Sequence, residues 1–203
     1  MQVGMLEVGP IGTNCYILMD EVTKSCAVID PGDEGYMIAA TVEKSGCKPC
    51  AVFLTHGHHD HTDGVAVLQE KWPDVPVYMS LRDDYSNDPR MMKLFPPLKN
   101  LTNYDDGDVI SVGSLNVEVM ATPGHSLGSV TLRCGEVLFC GDTLFAGSCG
   151  RTDFPGGSMQ TILESLKRLG ELEGNYQVCP GHMSTSNLDW ERQNNPYLKR
   201  AMR

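Results

Sequence analysis

Four of the six histidines in this 203-residue chain fall in one stretch, His56-Gly-His58-His59-Asp60-His61. Neutral imidazole and ionised carboxylate are the usual ligands of borderline-soft divalent metals, so the stretch reads first as a metal site. In an extended segment the side chains at i and i+2 point the same way, which lets His56 and His58 converge on one ion. Asp60 and His61 follow after a turn and can reach a second. A polar, solvated loop would account for a single His-x-His pair. It does not account for His-x-His-x-Asp-His at the mouth of the apolar run Ala51 to Leu54.

Three further strand ends repeat the pattern. Glycine immediately precedes His58, and also His125, Asp142 and His182, each of which lies just beyond an apolar run. Glycine permits tight turns and close backbone approach. The expected ligand sets are therefore His56, His58 and His125 for one metal, and Asp60, His61 and His182 for the other. Asp142, with two carboxylate oxygens, can bridge them. Only His59 is left unassigned, and in an extended loop it would point away from its neighbours. Two divalent metals about 3.5–4 Å apart clamp a water and supply a bridging hydroxide near neutral pH. Asp60 would both bind metal and orient that hydroxide. One metal would polarise a substrate carbonyl, and the other would support the leaving group.

These residues must be carried by strands that end at a common crevice. Met5 to Met19 reads as two strands around the turn Gly9 to Asn14, and Cys26 to Asp30 as a third, stopped by Pro31-Gly32. Helical spacing is visible over Tyr36 to Ser45, Val65 to Lys71 and Ser158 to Leu169. Val75 to Met79 is a strand, and Asp83 to Asn103 is irregular, a helix plus a loop that could cover the site. Strand alternation returns over Val109 to Val112 and Leu115 to Ala121, and a hairpin follows over Ser129 to Cys140. Tyr176 to Cys179 is the last strand, and a short helix around Leu188 to Asn194 closes the chain. Strands in two runs with helices between them predict two mixed sheets face to face, with helices outside.

Composition narrows the function classes. Hydrophobic content of 41% and charged content of 21% suit a soluble globular protein, and residues 1–203 are expected to form one domain. A formal net charge of −10 argues against nucleic-acid or anionic-membrane partners. No apolar run approaches membrane-spanning length, and the N-terminus does not resemble a signal peptide. The eight cysteines are scattered through apparent strands and read as reduced, buried thiols in a cytoplasmic protein. Cys47-Lys-Pro-Cys50 lacks the second pair that a zinc ribbon needs.

The set His56-Gly-His58-His59-Asp60-His61, Thr122-Pro-Gly-His125, Gly141-Asp142-Thr and Pro180-Gly-His182 resembles the metallo-β-lactamase superfamily. The resemblance implies an α+β fold, the four-layer αββα sandwich. It also implies a centre of two divalent metal ions, zinc first, with iron or manganese compatible. Within the superfamily, Gly141 to Gly157 and the ending Glu191-Arg-Gln-Asn-Asn-Pro196-Tyr-Leu resemble the glyoxalase II-like branch, especially its short single-domain bacterial members. That branch hydrolyses hydroxyacylglutathione thioesters, so the implied partner is a small-molecule thioester, S-lactoylglutathione-like; a monomer and a homodimer are both compatible with the sequence. Arg151 matches a position where the family places a basic residue near glutathione, and a salt bridge to Asp153 is its structural alternative. Longer members supply glutathione contacts from a C-terminal helical domain that these 203 residues are expected to lack. Two other readings stay open. One is a mononuclear-iron persulfide dioxygenase using His56, His125 and Asp142, which Cys149 to Phe154 also resembles. The other is a non-catalytic metal-binding protein.

Overall fold

A computed structural model describes Met1–Arg203. Strands β1 (Gln2–Val8), β2 (Thr13–Asp20), β3 (Ser25–Ile29), β4 (Lys48–Phe53), β5 (Val77–Met79) and β6 (Leu101–Asn103) form one sheet in that order. Its first three strands are antiparallel, and β3 to β6 run parallel. The second sheet begins as a meander, β7 (Val109–Val112), β8 (Leu115–Ala121), β9 (Val130–Cys134) and β10 (Val137–Gly141). A two-stranded ribbon, β11 (Leu144–Phe145) and β12 (Ser148–Cys149), projects beyond it. The sheet is completed by β13 (Gln177–Pro180), parallel to β10, and the edge strand β14 (Ser186–Asn187). Both sheets are mixed, as predicted.

Side-chain alternation sets the layers. Successive residues of a strand face opposite sides. Tyr16, Leu18, Ala27, Ile29 and Phe53 therefore face Val119, Leu132, Val137 and Phe139 of the second sheet in a buried inter-sheet core. Their neighbours Cys15, Ile17, Val28, Val52 and Leu54 face outward, against Ile38 and Val42 of α1 (Gly35–Ser45). The short α2 (His59–Thr62) leads into α3 (Val65–Lys71), which adds Val65 and Leu68 to that outer layer. On the far side, Leu138, Cys140 and Val178 meet Leu166 and Leu169 of α4 (Met159–Gly170). Leu188 of α5 (Leu188–Asn194) and Leu198 of α6 (Pro196–Ala201) complete it. The result is the αββα sandwich. No helix is long and apolar enough to cross a membrane.

Three local readings change. Asp83–Asn103 holds no α-helix: a 3₁₀ turn at Leu81–Asp83 gives way to turns, and the segment ends in β6. His59 begins a helical turn instead of lying in an extended loop. The last helix is α6, not α5, because Pro196 stands at its first turn, where a missing N–H costs nothing. The buried Asn195 caps it, accepting from Tyr197 N at 2.9 Å.

Candidate metal centre

The expected ligands arrive from the C-terminal ends of strands. β4 runs into His56, β8 into the loop bearing His125, β10 into Asp142 and β13 into His182. Their approach explains two of the preceding glycines. A Cβ on Gly181 would stand 2.4 Å from Asp142 Oδ1, and one on Gly141, where φ is +45°, would stand 2.2 Å from Thr55 Oγ1. Any side chain at either position would push the ligand loops apart.

Two triads form. In the first, His58 Nδ1 lies 3.0 Å from His56 Nε2 and 2.9 Å from His125 Nε2. In the second, His182 Nε2 lies 3.3 Å from His61 Nε2 and 3.2 Å from Asp60 Oδ2. Asp142 stands between them, with Oδ1 3.4 Å from His61 Nε2 and Oδ2 3.5 Å from His125 Nε2. His56, His58, His61, His125 and Asp142 are buried, and Asp60 and His182 are partly open to a cleft.

Hydrogen bonds behind three of the rings place their Nδ1 protons. His125 Nδ1 is 2.8 Å from the Arg151 carbonyl, so Nδ1 carries the proton and donates it. His61 Nδ1 donates to Asp30 Oδ2 at 3.0 Å. Thr55 Oγ1 gives its only proton to Asp30 Oδ2 at 2.7 Å, and must therefore accept from His56 Nδ1 at 3.2 Å. His56 and His125 thus turn a bare Nε2 lone pair inward, and His61 does so once its Nε2 proton is displaced. Asp142 Oδ1 is buried and has no hydrogen-bond donor. Convergent lone pairs and an undonated carboxylate oxygen fit cations, and backing of this kind is usual for metal-binding histidines.

Electrostatics separate the two triads. Burial, reinforced by the neighbouring histidines, holds His56 well below the usual imidazole range and brings His58 down to about 3, so both are neutral. For His61, burial alone would do the same, but Asp142 and Asp30 outweigh it and raise its pKa. His182 is raised too, against its burial, by Asp60 and Asp142. Burial works against ionisation of Asp60 and Asp142, yet the facing histidines keep both carboxyls low. Protons on the second triad would therefore compete with metal, and binding there would release them.

The chain matches the family model described as the metallo-beta-lactamase superfamily over residues 8–182. It belongs to that superfamily. Among curated relatives, the probable metallo-hydrolase YqgX of Bacillus subtilis is 34% identical over 204 residues, 95% of each chain. The hydroxyacylglutathione hydrolase of Gloeobacter violaceus is 39% identical over 173 residues, 84% of this chain and 63% of that protein. Among solved structures, BLEG-1 B3 metallo-beta-lactamase superposes with a TM-score of 0.87 at 28% identity, covering 97% of this chain and 99% of that one. ETHE1 from Myxococcus xanthus gives 0.85 at 27%, over 100% and 88%. TTHA1623 in a di-iron-bound form gives 0.82 at 34%, over 96% and 99%. The His/Asp cluster is accordingly a metal-binding site typical of this superfamily.

The cleft above it has a volume of about 540 Å³ and an apolar wall of Ile11, Leu94, Phe145, Phe154 and Met183. Arg151 is its one Lys or Arg. The guanidinium makes two 2.6 Å hydrogen bonds to Asp153 and lies 3.9 Å above the Phe154 ring. Arg151 thus lines the cleft while paired with Asp153. The Glu191–Tyr197 ending has a structural task. Glu191 Oε2 accepts from Gly147 N at 3.0 Å and Asn195 Nδ2 donates to Ser148 O at 2.8 Å, which holds the β11–β12 ribbon and its Phe145 over the cleft. His59 lies at the surface beside the cleft, 3.4 Å from Asp63. Cys47 and Cys50 pack against different cores, one on each face of the first sheet.

Sequence reasoning missed Asp30 and Asp83. The apolar run Cys26 to Asp30 reads as a strand that ends on Asp30. Asp30 instead has a left-handed backbone, φ 51°, and its carboxylate takes Thr55 and His61. The Asp-Pro-Gly that follows β3 was the available signal. Asp83 had none: it is a buried carboxylate whose pKa burial raises, and three hydrogen bonds from two ligand loops oppose that rise.

Proposed function

We propose that the chain is a binuclear metal-dependent hydrolase of thioesters, acting on a hydroxyacylglutathione or a related small molecule. The observation that carries this reading is the seven-residue donor set, two triads sharing Asp142, which exceeds what one ion can use. His56, His58, His125 and Asp142 would hold one ion, and Asp60, His61, His182 and Asp142 the other. When bound, the pair supplies Lewis-acid activation of a carbonyl and of a water. Zinc is the proposed metal, and the same nitrogen and oxygen donors suit iron and manganese.

The chain's own residues account for the rest. Asp60 accepts a hydrogen bond from the attacking water and aims its lone pair into the cleft. Phe145, Phe154 and Leu94 exclude bulk water from one side. A free thiol has a pKa of about 8.5, so a thiolate leaves without a strong general acid, and the cleft offers no lysine or tyrosine to act as one. Cys149 lines the cleft, and burial pushes its thiol up to about 11, which disfavours the thiolate. Arg151 would meet a carboxylate of the thiol half. The eight free cysteines support a reducing, cytoplasmic setting.

The test is elemental analysis of purified protein alongside a panel of S-lactoylglutathione, an uncharged N-acetylcysteamine thioester and an acyl-coenzyme A, read by thiol release. Two metals per chain and preference for the glutathione thioester are expected. One iron per chain, with oxygen uptake on a persulfide and no thiol release, would replace the hydrolase by the mononuclear dioxygenase.

A further inference from the structure

Asp83 lies at the end of the 3₁₀ turn that follows β5, outside every motif that carries the ligands, yet it is 2% exposed. A buried carboxylate must be fully hydrogen-bonded or paired. All the donors to Asp83 come from the two loops that bear the first triad. Gly57 N, between His56 and His58, donates to Oδ2 at 3.0 Å. Ser126 Oγ, next to His125, donates to the same oxygen at 2.6 Å, and Gly128 N donates to Oδ1 at 2.7 Å. The fit is close on both sides. A Cβ on Gly57 would stand 2.9 Å from Asp83 Cβ, and one on Gly128 would stand 2.7 Å from Asp83 Cγ. The segment beyond Asp83 returns to the same place: Leu94 O accepts from His59 N at 2.9 Å, and the Phe95 ring packs 4.6 Å from the His58 ring.

We propose that Asp83 is a positioning residue for the first metal centre alone. By bridging the His56–His58 loop to the His125 loop, it fixes the separation of those three imidazoles and so sets that centre's metal affinity. The inference rests on the two-centre reading proposed above. Asp30 differs from Asp83 in reaching both triads, His61 directly and His56 through Thr55. The chemistry of the contacts explains why a carboxylate is required. An asparagine presents one NH2 group, and wherever it points it faces the Gly57 or the Gly128 N–H, donor against donor. One backbone N–H would then be buried without an acceptor, and the loops would move to relieve it.

The experiment separates the centres first. His182→Ala removes a donor from the second triad, so that the ion which remains reports on the first, and His125→Ala does the reverse. Asp83→Asn is added to each background, and zinc affinity of the reconstituted protein is measured by competition with a chromophoric chelator. In the His182→Ala background Asp83→Asn should weaken zinc binding by about 10- to 100-fold, the usual effect of losing a group that orients ligands. In the His125→Ala background the change should stay within about twofold, as for a site with no shared partners. Ser126→Ala, which deletes one hydroxyl donor and leaves the carboxylate, should show the same selectivity with a smaller loss and covers the case in which Asp83→Asn fails to fold. Equal weakening in both backgrounds, or none in the first, overturns the proposal. A wild-type chain that binds one ion would overturn the two-centre reading instead, and the first-triad affinity would still be read in the His182→Ala background.

Discussion

Asp30 Oδ2 accepts a 3.0 Å hydrogen bond from His61 Nδ1, between two side chains that are both buried. The same oxygen accepts from Thr55 Oγ1, which in turn accepts from His56 Nδ1. One carboxylate therefore sets the tautomer of an imidazole in each triad, and with it the direction of two metal-facing lone pairs. Burial of Asp30 is balanced by these donors and by Thr55 N at 2.7 Å.

Asp30→Asn tests that relationship. The amide NH2 would oppose either Thr55 or His61, and His61 would be free to move its proton to Nε2, where it blocks a ligand position. Metal affinity at the second centre should fall by about 10- to 100-fold, with a smaller loss at the first. Zinc titrations of the apo variant, with the His61 tautomer read from 15N shifts, check both parts. Unchanged affinity would show that the tautomer is fixed by other contacts.

Arg151 carries the substrate prediction. Its carbonyl backs His125, but its side chain touches only Asp153 and Phe154 among the contacts that define the cleft rim. Arg151→Ala should leave metal content intact and raise KM for glutathione thioesters by about three- to tenfold, as expected for an exposed charged contact. kcat should change little, the mark of lost uniform binding. An equal KM increase for an uncharged thioester would make the guanidinium a structural prop for Phe154.

Legibility in the sequence followed the kind of constraint. His56, His58, Asp60, His61, His125, Asp142 and His182 could be read because metal binding needs rare residue types at strand ends, and the close approach of their loops left glycines beside them. The two sheets could be read from strands that fall in two runs with helices between them, and the near-continuous apolar runs of β2 and β3 call for a covering layer on each face. Thr55 and Asp83 could not be read, and the Asp-Pro-Gly turn marked Asp30 only as a chain reversal. Their work is to satisfy donors in distant segments, such as Gly128 N, 45 residues from Asp83. A lone Asp or Thr carries no pattern for such contacts. The elements α2, β11, β12 and β14 are two to four residues long, too short for any period to show. α6 was hidden because Pro196 serves as well to start a helix as to end one.

Asp20 gives a stability prediction with a sign. At the end of the sandwich remote from the metal site, its carboxylate takes Val22 N and Thr23 Oγ1 in the β2–β3 turn and Ser114 N and Oγ in the β7–β8 turn, joining the two sheets. These hydrogen bonds, Thr23 first, hold its pKa well below the ordinary carboxylate value. A depressed folded-state pKa contributes stability that is fully present above the unfolded value of about 3.9 and is lost as pH falls through the folded one. Asp20→Asn should therefore lower Tm at pH 7, and its difference from wild type should narrow as pH falls below about 4. Parallel melting curves from pH 7 down to the lowest reversible pH decide it, and a constant difference would remove Asp20 from the acid response.

Asp60 is where binding and chemistry overlap. Its Oδ2 lies 3.2 Å from His182 Nε2 and 3.7 Å from His61 Nε2, and its side chain is partly open to the cleft, whereas Asp142 is buried. Asp60 is thus the carboxylate that can touch both an ion and an incoming water. Asp60→Asn keeps the size and one oxygen but removes the charge. Affinity at the second centre should fall by at least about 10- to 100-fold, and excess zinc should restore occupancy. If Asp60 also orients the water, turnover should stay low at full occupancy, by about 10²- to 10⁴-fold. The measurement is kcat for thioester hydrolysis with metal content determined on the same sample. Recovery to near wild-type turnover at two metals per chain would reduce Asp60 to a ligand, and the attacking water would then be oriented without it.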